Sequence, residues 1–132
     1  MPVTENILKL ADPENYACQV WRYRVSLQTL VLRLNEKSKP LEESFYLAFE
    51  SAMYFEGPTS WTGANLCVGR REECLQLLHK LGLGIAPDDY LLDRYCLYGF
   101  PSSQFEIKIL SSFHFGRLSH AEYEAIKNRE GL

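Results

Sequence analysis

The chain of 132 residues has little that would mark a specialised class of protein. Its longest uninterrupted apolar run, Phe45 to Phe49, is five residues, far short of the roughly 20 that cross a bilayer as a helix. The N-terminal Met-Pro-Val-Thr-Glu-Asn has neither the basic start nor the apolar stretch of a secretory signal. Repeats, low-complexity tracts and Ser/Gly linkers are missing, so a single domain over 1–132 is expected, with a weakly ordered segment over 1–15. Surplus positive charge is missing too. Fourteen Lys and Arg stand against seventeen Asp and Glu, a net charge of −3, which argues against a nucleic-acid partner met by a basic face.

Chemical motifs are equally scarce. Cys18, Cys67, Cys74 and Cys96 are separated by 49, 7 and 22 positions. They form no Cys-x-x-Cys pair, and His79, His114 and His120 complete no zinc-finger spacing. Without an export signal, reduced and buried thiols in a cytosolic protein are expected. Asp88, Asp89 and Asp93 lack the spacing of a calcium loop. Gly82 and Gly84 follow a helix rather than introduce one, so they make no phosphate or dinucleotide fingerprint. No serine sits in a Gly-x-Ser-x-Gly elbow. The sequence therefore nominates no catalytic residue, cofactor or metal.

What is present is enough apolar content to fold. The hydrophobic share of 46% excludes intrinsic disorder, and a chain of this length can bury one core without disulfide or metal. From Tyr16 the pattern has a period of two. Trp21, Tyr23, Val25 and Leu27 share one face, with Arg22, Arg24, Ser26 and Gln28 on the other. The phase then flips, with Leu30, Leu32 and Leu34 apolar at even positions. A flat strand cannot do this and keep one face buried. A bulge or bend near Gln28, or a crossing between sheet regions, is expected.

The run Phe45 to Glu56 reads as one long strand of about 40 Å. Its odd positions are apolar, and its even face carries Tyr46, Glu50, Tyr54 and Glu56. Gly57-Pro58 ends it, and Trp61 to Val68 returns as a shorter strand. Cys74, Leu77, Leu78 and Leu81 then recur at helical spacing, predicting a helix over 71–81 that places Cys74 in the core. Glu72 and Glu73 near its start suit the helix dipole, and Gly82 is placed to follow its C-cap.

Residues 83–87 read as a Gly/Pro loop. Asp88 to Tyr98 admits a helix or a strand. The preferred reading is a turn of helix at 88–92 followed by a hairpin, Tyr95–Tyr98 against Phe105–Ile109, turning at 99–103. The β signal continues through Phe113–Phe115. Ser119 and Glu122 make a capping box, with Leu118 and Tyr123 as its hydrophobic staple, predicting a helix over 120–129. Near the N-terminus, Thr4 could cap a short turn, and 12–15 reads as another turn. Together these elements give an α+β domain: a curved antiparallel sheet of five to six strands against a central amphipathic helix and a short C-terminal helix.

Two stretches carry candidate site residues. Glu56 to Asn65 gathers a carboxylate, an indole, hydroxyls and an amide around two glycines, and Trp61 with Asn65 suits an amphipathic ligand. On the long strand, Tyr46, Glu50 and Tyr54 alternate with Ala48 and Ala52. If the first strand curls over that face, Arg22 and Arg24 approach Glu50 and complete a polar, aromatic cavity. Glu50 and Glu56 cannot act as a glycosidase pair, being about 20 Å apart along a strand where about 10 Å is the limit. Residues 20–40 hold a local charge of +4 and 41–60 a local −4, which could meet across a strand ladder.

Trp21, Tyr23, Tyr46 and Tyr54 are aromatics of the sort that recognise RNA, but Trp21 and Tyr23 alternate with the arginines, which separates aromatic from basic. The expected function is a small cytosolic binding or regulatory protein acting through protein–protein contact or self-association. An exposed strand edge, or the face with Tyr46 and Tyr54, is the expected surface. The alternative is a small-ligand protein or enzyme whose pocket is lined by Glu50, Tyr54, Trp61 and Asn65.

Overall fold

Alternating apolar residues do form strands from Tyr16 onward, but they divide between two sheets. In the computed structural model, residues 5–83, 87–101 and 105–129 are described, apart from the side chain of Asp89. The readings at Thr4, in the middle of the 83–87 loop and at 102–104 lie outside the described residues. The strands are β1 (Tyr16–Arg24), β2 (Thr29–Glu36), β3 (Phe45–Phe49), β4 (Tyr54–Glu56), β5 (Ser60–Thr62), β6 (Cys67–Val68), β7 (Cys96–Gly99), β8 (Lys108–Ser111) and β9 (Phe115–Ser119). The helices are α1 (Arg71–Lys80), α2 (Asp88–Arg94) and α3 (His120–Arg129). One sheet has the order β5-β1-β2-β3-β9 and the other β4-β8-β7-β6, and every pairing is antiparallel. The α+β class stands, with two stacked sheets where one curved sheet was expected.

The sheets pack face to face. Cys18, Leu32, Leu34, Leu47, Phe49 and Trp61 from the first meet Cys96, Tyr98 and Ile109 from the second in one core cluster. Strand periodicity then sends alternate residues of the second sheet the other way. Leu97 and Leu110 leave that core and pack with Cys74 and Leu78 of α1 and Leu91 of α2. On the far side, α3 lays Tyr123 over Tyr46 and Val31 of the first sheet. The layers therefore run helix, sheet, sheet, helix pair.

Three local readings need correction. The phase flip near Gln28 is a complete chain reversal. β1 and β2 form a hairpin with Arg24 opposite Thr29, and Gln28 takes a left-handed φ of 48° to close it. A β-bulge does exist, but it lies at Trp21, where the register slips between Val20 and Arg22. The long strand 45–56 is broken. Ser51 adopts φ 50°, and the chain leaves β3 of the first sheet to enter β4 of the second. Likewise Trp61 to Val68 is two strands, β5 pairing with β1 and β6 with β7. In the long stretch the sequence alternation runs on past the crossing, but burial does not: Glu50 and Ser51 are both exposed and Ala52 is buried.

Other elements match the sequence. Helix α1 ends where Gly82 takes φ +77°, the left-handed conformation glycine adopts without a steric penalty. Both alternatives for 88–98 occur in series, a helix over 88–94 and then β7, paired with a second arm that lies at Lys108–Ser111 rather than at Phe105–Ile109. The capping box is complete: Ser119 Oγ accepts the Glu122 N–H at 3.1 Å, and Glu122 Oε1 accepts the Ser119 N–H at 3.0 Å. In the N-terminal segment Leu8 and Leu10 are buried, and Ile7 donates its backbone N–H to Leu66 O.

Candidate functional site

The break at Ser51 redistributes the expected site. Tyr46 is 1% exposed, buried under α3 with its ring stacked on Tyr123 at 4.1 Å and 12°. Its hydroxyl meets His120 Nδ1 at 3.0 Å, and burial pushes its pKa up. Tyr54 belongs to the other sheet. Its hydroxyl donates to Glu56 Oε1 at 2.7 Å, a bond that raises the tyrosine pKa. Glu50 lies exposed in the turn after β3. The three residues read as one face occupy three separate environments, so no single face bears both Tyr46 and Tyr54.

Trp61 is 5% exposed. It packs between Phe55 and Phe100, and its indole N–H donates to Gly63 O at 3.1 Å. Asn65 accepts the Asn6 backbone N–H at 2.7 Å and so fastens the N-terminal segment. Trp61 and Asn65 are framework residues here. Glu50, Tyr54, Trp61 and Asn65 line no common cavity among the described residues.

Neither Arg22 nor Arg24 forms an ion pair with Glu50 among the described residues; both lie on β1, with β2 between it and β3. Among the described residues no ion pair joins the positive 20–40 block to the negative 41–60 block. The basic group engaged on the outer face is Arg33. Its guanidinium lies 3.9 Å over the Trp21 ring and bonds the Gln19 amide oxygen. The bulge turns Trp21 onto the face that Arg33 occupies, so aromatic and basic groups are not separated there.

Sequence reasoning overlooked the feature that the fold exposes most. Eight large hydrophobic residues are exposed among those described, and four of them fall within seven positions: Trp21, Tyr23, Val25 and Leu27. These four had the pattern of a buried strand face. The bulge instead turns Trp21 onto the outer face, and Tyr23, Val25 and Leu27 lie at the turn end of the β1–β2 hairpin, with Val25 79% and Leu27 58% exposed. The available signal was the phase flip itself, since apolar residues continue through a reversal that lacks Gly, Pro or Asn.

Beside this hairpin end lies a recess of about 380 Å3, lined by Val20, Tyr23, Leu30, Ala52, Met53, Tyr54 and Phe55. It opens at the seam where the first sheet parts from β4, an outer strand of the second. The Tyr23 hydroxyl spans the seam by donating to Ala52 O at 3.1 Å. The lining is apolar, and the charges stand outside it. Arg22 is on β1 and Glu50 is in the turn before Ala52, which donates its N–H to Gln28 O at 2.7 Å.

The thiols contribute no nucleophile to this region. All four cysteines are free and buried, and burial raises Cys18 to about 12 and Cys74 to about 11, which leaves them protonated and inert at neutral pH. No described helix is long and apolar enough to cross a membrane. Compared with protein-family models, with curated proteins and with solved structures, the chain finds no match.

Proposed function

We propose that this is a small binding or regulatory protein, acting in the cytosol through protein–protein contact, whose recognition surface is the turn end of the β1–β2 hairpin. The observation that carries this reading is the clustering of exposed Trp21, Tyr23, Val25 and Leu27 on one supersecondary unit. Scattered exposed apolar residues are ordinary, but Tyr23, Val25 and Leu27 at one turn beside an apolar recess mark an interaction site. Trp and Tyr are the residues that anchor such interfaces. Leu41 is comparably exposed but stands alone in the turn before β3.

A photo-crosslinking amino acid placed at position 27 tests the reading, with position 41 as control. A discrete protein adduct from position 27, absent from position 41, is expected. No adduct from position 27, or equal adducts from both, contradicts it.

The recess gives a second reading, a site for a small apolar or aromatic ligand, because its volume falls within the range of ligand pockets and Tyr54 lines it. A metabolite thermal-shift screen separates the two. Stabilisation that Met53→Trp abolishes favours the ligand, while stabilisation by no compound favours the protein partner.

A further inference from the structure

We infer that the partner of the hairpin end is a second copy of this chain, with the hairpin turn of each copy seated in the recess of the other. The inference rests on the reading of the hairpin as a recognition surface and adds its occupant. Both halves of a complementary pair lie side by side on the same molecule. Val25 and Leu27 project from the turn, and the recess beside them is lined by Val20, Leu30, Ala52, Met53 and Phe55. A patch carrying both knob and hole is what an isologous two-fold contact requires, since residue i meets j and j meets i.

Charge supports the same occupant. Arg22 flanks the apolar turn on one side and Glu50 flanks the recess on the other, and neither takes part in an ion pair among the described residues. Within one chain Arg22 lies on β1 and Glu50 in the turn after β3, with β2 between the two strands. A two-fold axis through the hairpin end brings Arg22 of each copy toward Glu50 of the other. Arg22 and Glu50 thereby become complementary across the contact, which fixes register and excludes parallel alternatives. An apolar ligand or an unrelated acidic partner would use one half of this arrangement and leave the other without a role.

Equilibrium sedimentation of the full chain from low to high micromolar concentration reads the association. A monomer–dimer equilibrium is expected. Leu27→Asp and Val25→Asp should each weaken it by roughly tenfold or more, with an unchanged circular dichroism spectrum and melting temperature confirming the fold. Arg22→Glu alone should weaken dimerisation several-fold, and adding Glu50→Arg should restore it to within about twofold, the signature of a direct pairing.

A strict monomer at every concentration overturns the dimer. If position 27 still crosslinks to another protein, the hairpin remains the recognition surface and only its occupant is wrong. If it crosslinks to nothing, both ideas fall. A dimer that is insensitive to position 27, or a double variant no better than Arg22→Glu, also overturns this arrangement.

Discussion

The outer face of the five-stranded sheet is covered over β3 and β9, where α3 stacks Tyr123 on Tyr46, whereas the β1–β2 hairpin at its turn end carries Val25 and Leu27 in solvent. Both regions come from alternating apolar sequence in the same sheet, and they differ in what the chain supplies next. After β9 a capping box starts a helix that folds back over the sheet. After β1 the chain turns back within four residues, leaving no length to build a cover. Apolar patterning thus predicts that a residue will be hidden, but whether this chain or another hides it depends on the connection. A covered face stabilises the monomer, and a bare one is available for recognition.

The largest effect that sharpens this contrast is at the covered end. Tyr46→Ala removes a ring buried under α3 and should cost about 3–5 kcal/mol in urea denaturation, as for other large aromatic truncations. A loss below about 1 kcal/mol, the range of a surface substitution, would mean that α3 does not hold the sheet. Next comes the device that places the cover. Ser119→Ala should cost about 1 kcal/mol by the same measurement, and a neutral result would remove the capping box from the explanation.

A smaller effect is expected with pH. The Ser119 backbone N–H holds the Glu122 carboxyl below its ordinary value of 4.5. A depressed folded-state pKa gives stability that is present above the unfolded value and lost as pH falls through the folded one. Wild type should therefore exceed Glu122→Gln in melting temperature above about pH 4.5, and the two should converge in stronger acid. Curves that stay parallel throughout would break the assignment. Smallest of all, Val25→Ser at the bare end should change monomer stability by no more than about 0.5 kcal/mol. A larger loss would show that Val25 already packs within its own chain.

Much of the fold is legible in the sequence wherever a residue type has a local cause. Ser119 with Glu122 announces a helix start, Gly82 a helix end, and the Cys74–Leu78 spacing an apolar stripe. These signals act within a turn or two and need no knowledge of the partner surface. The breaks at Gln28 and Ser51 were hidden because both are left-handed residues of a type that seldom adopts that conformation. Without glycine or proline as punctuation, 45–56 looks continuous, and Tyr46, Glu50 and Tyr54 look like neighbours. The candidate site failed for that reason: the break at Ser51 carries Tyr54 and Glu56 on β4 to the second sheet, away from Tyr46 on β3. Trp61 and Asn65 stand out in the sequence, but what holds them is the framework, through Gly63 O and the Asn6 N–H.

The most direct measurement is a concentration series of amide NMR spectra on the full chain. The account predicts shifts that grow with concentration at residues 23–28 and 52–55, while the amides of α3, residues 120–129, stay fixed. Shifts centred on α3, or none anywhere, would contradict the claim that the bare hairpin end is where this protein meets its partner.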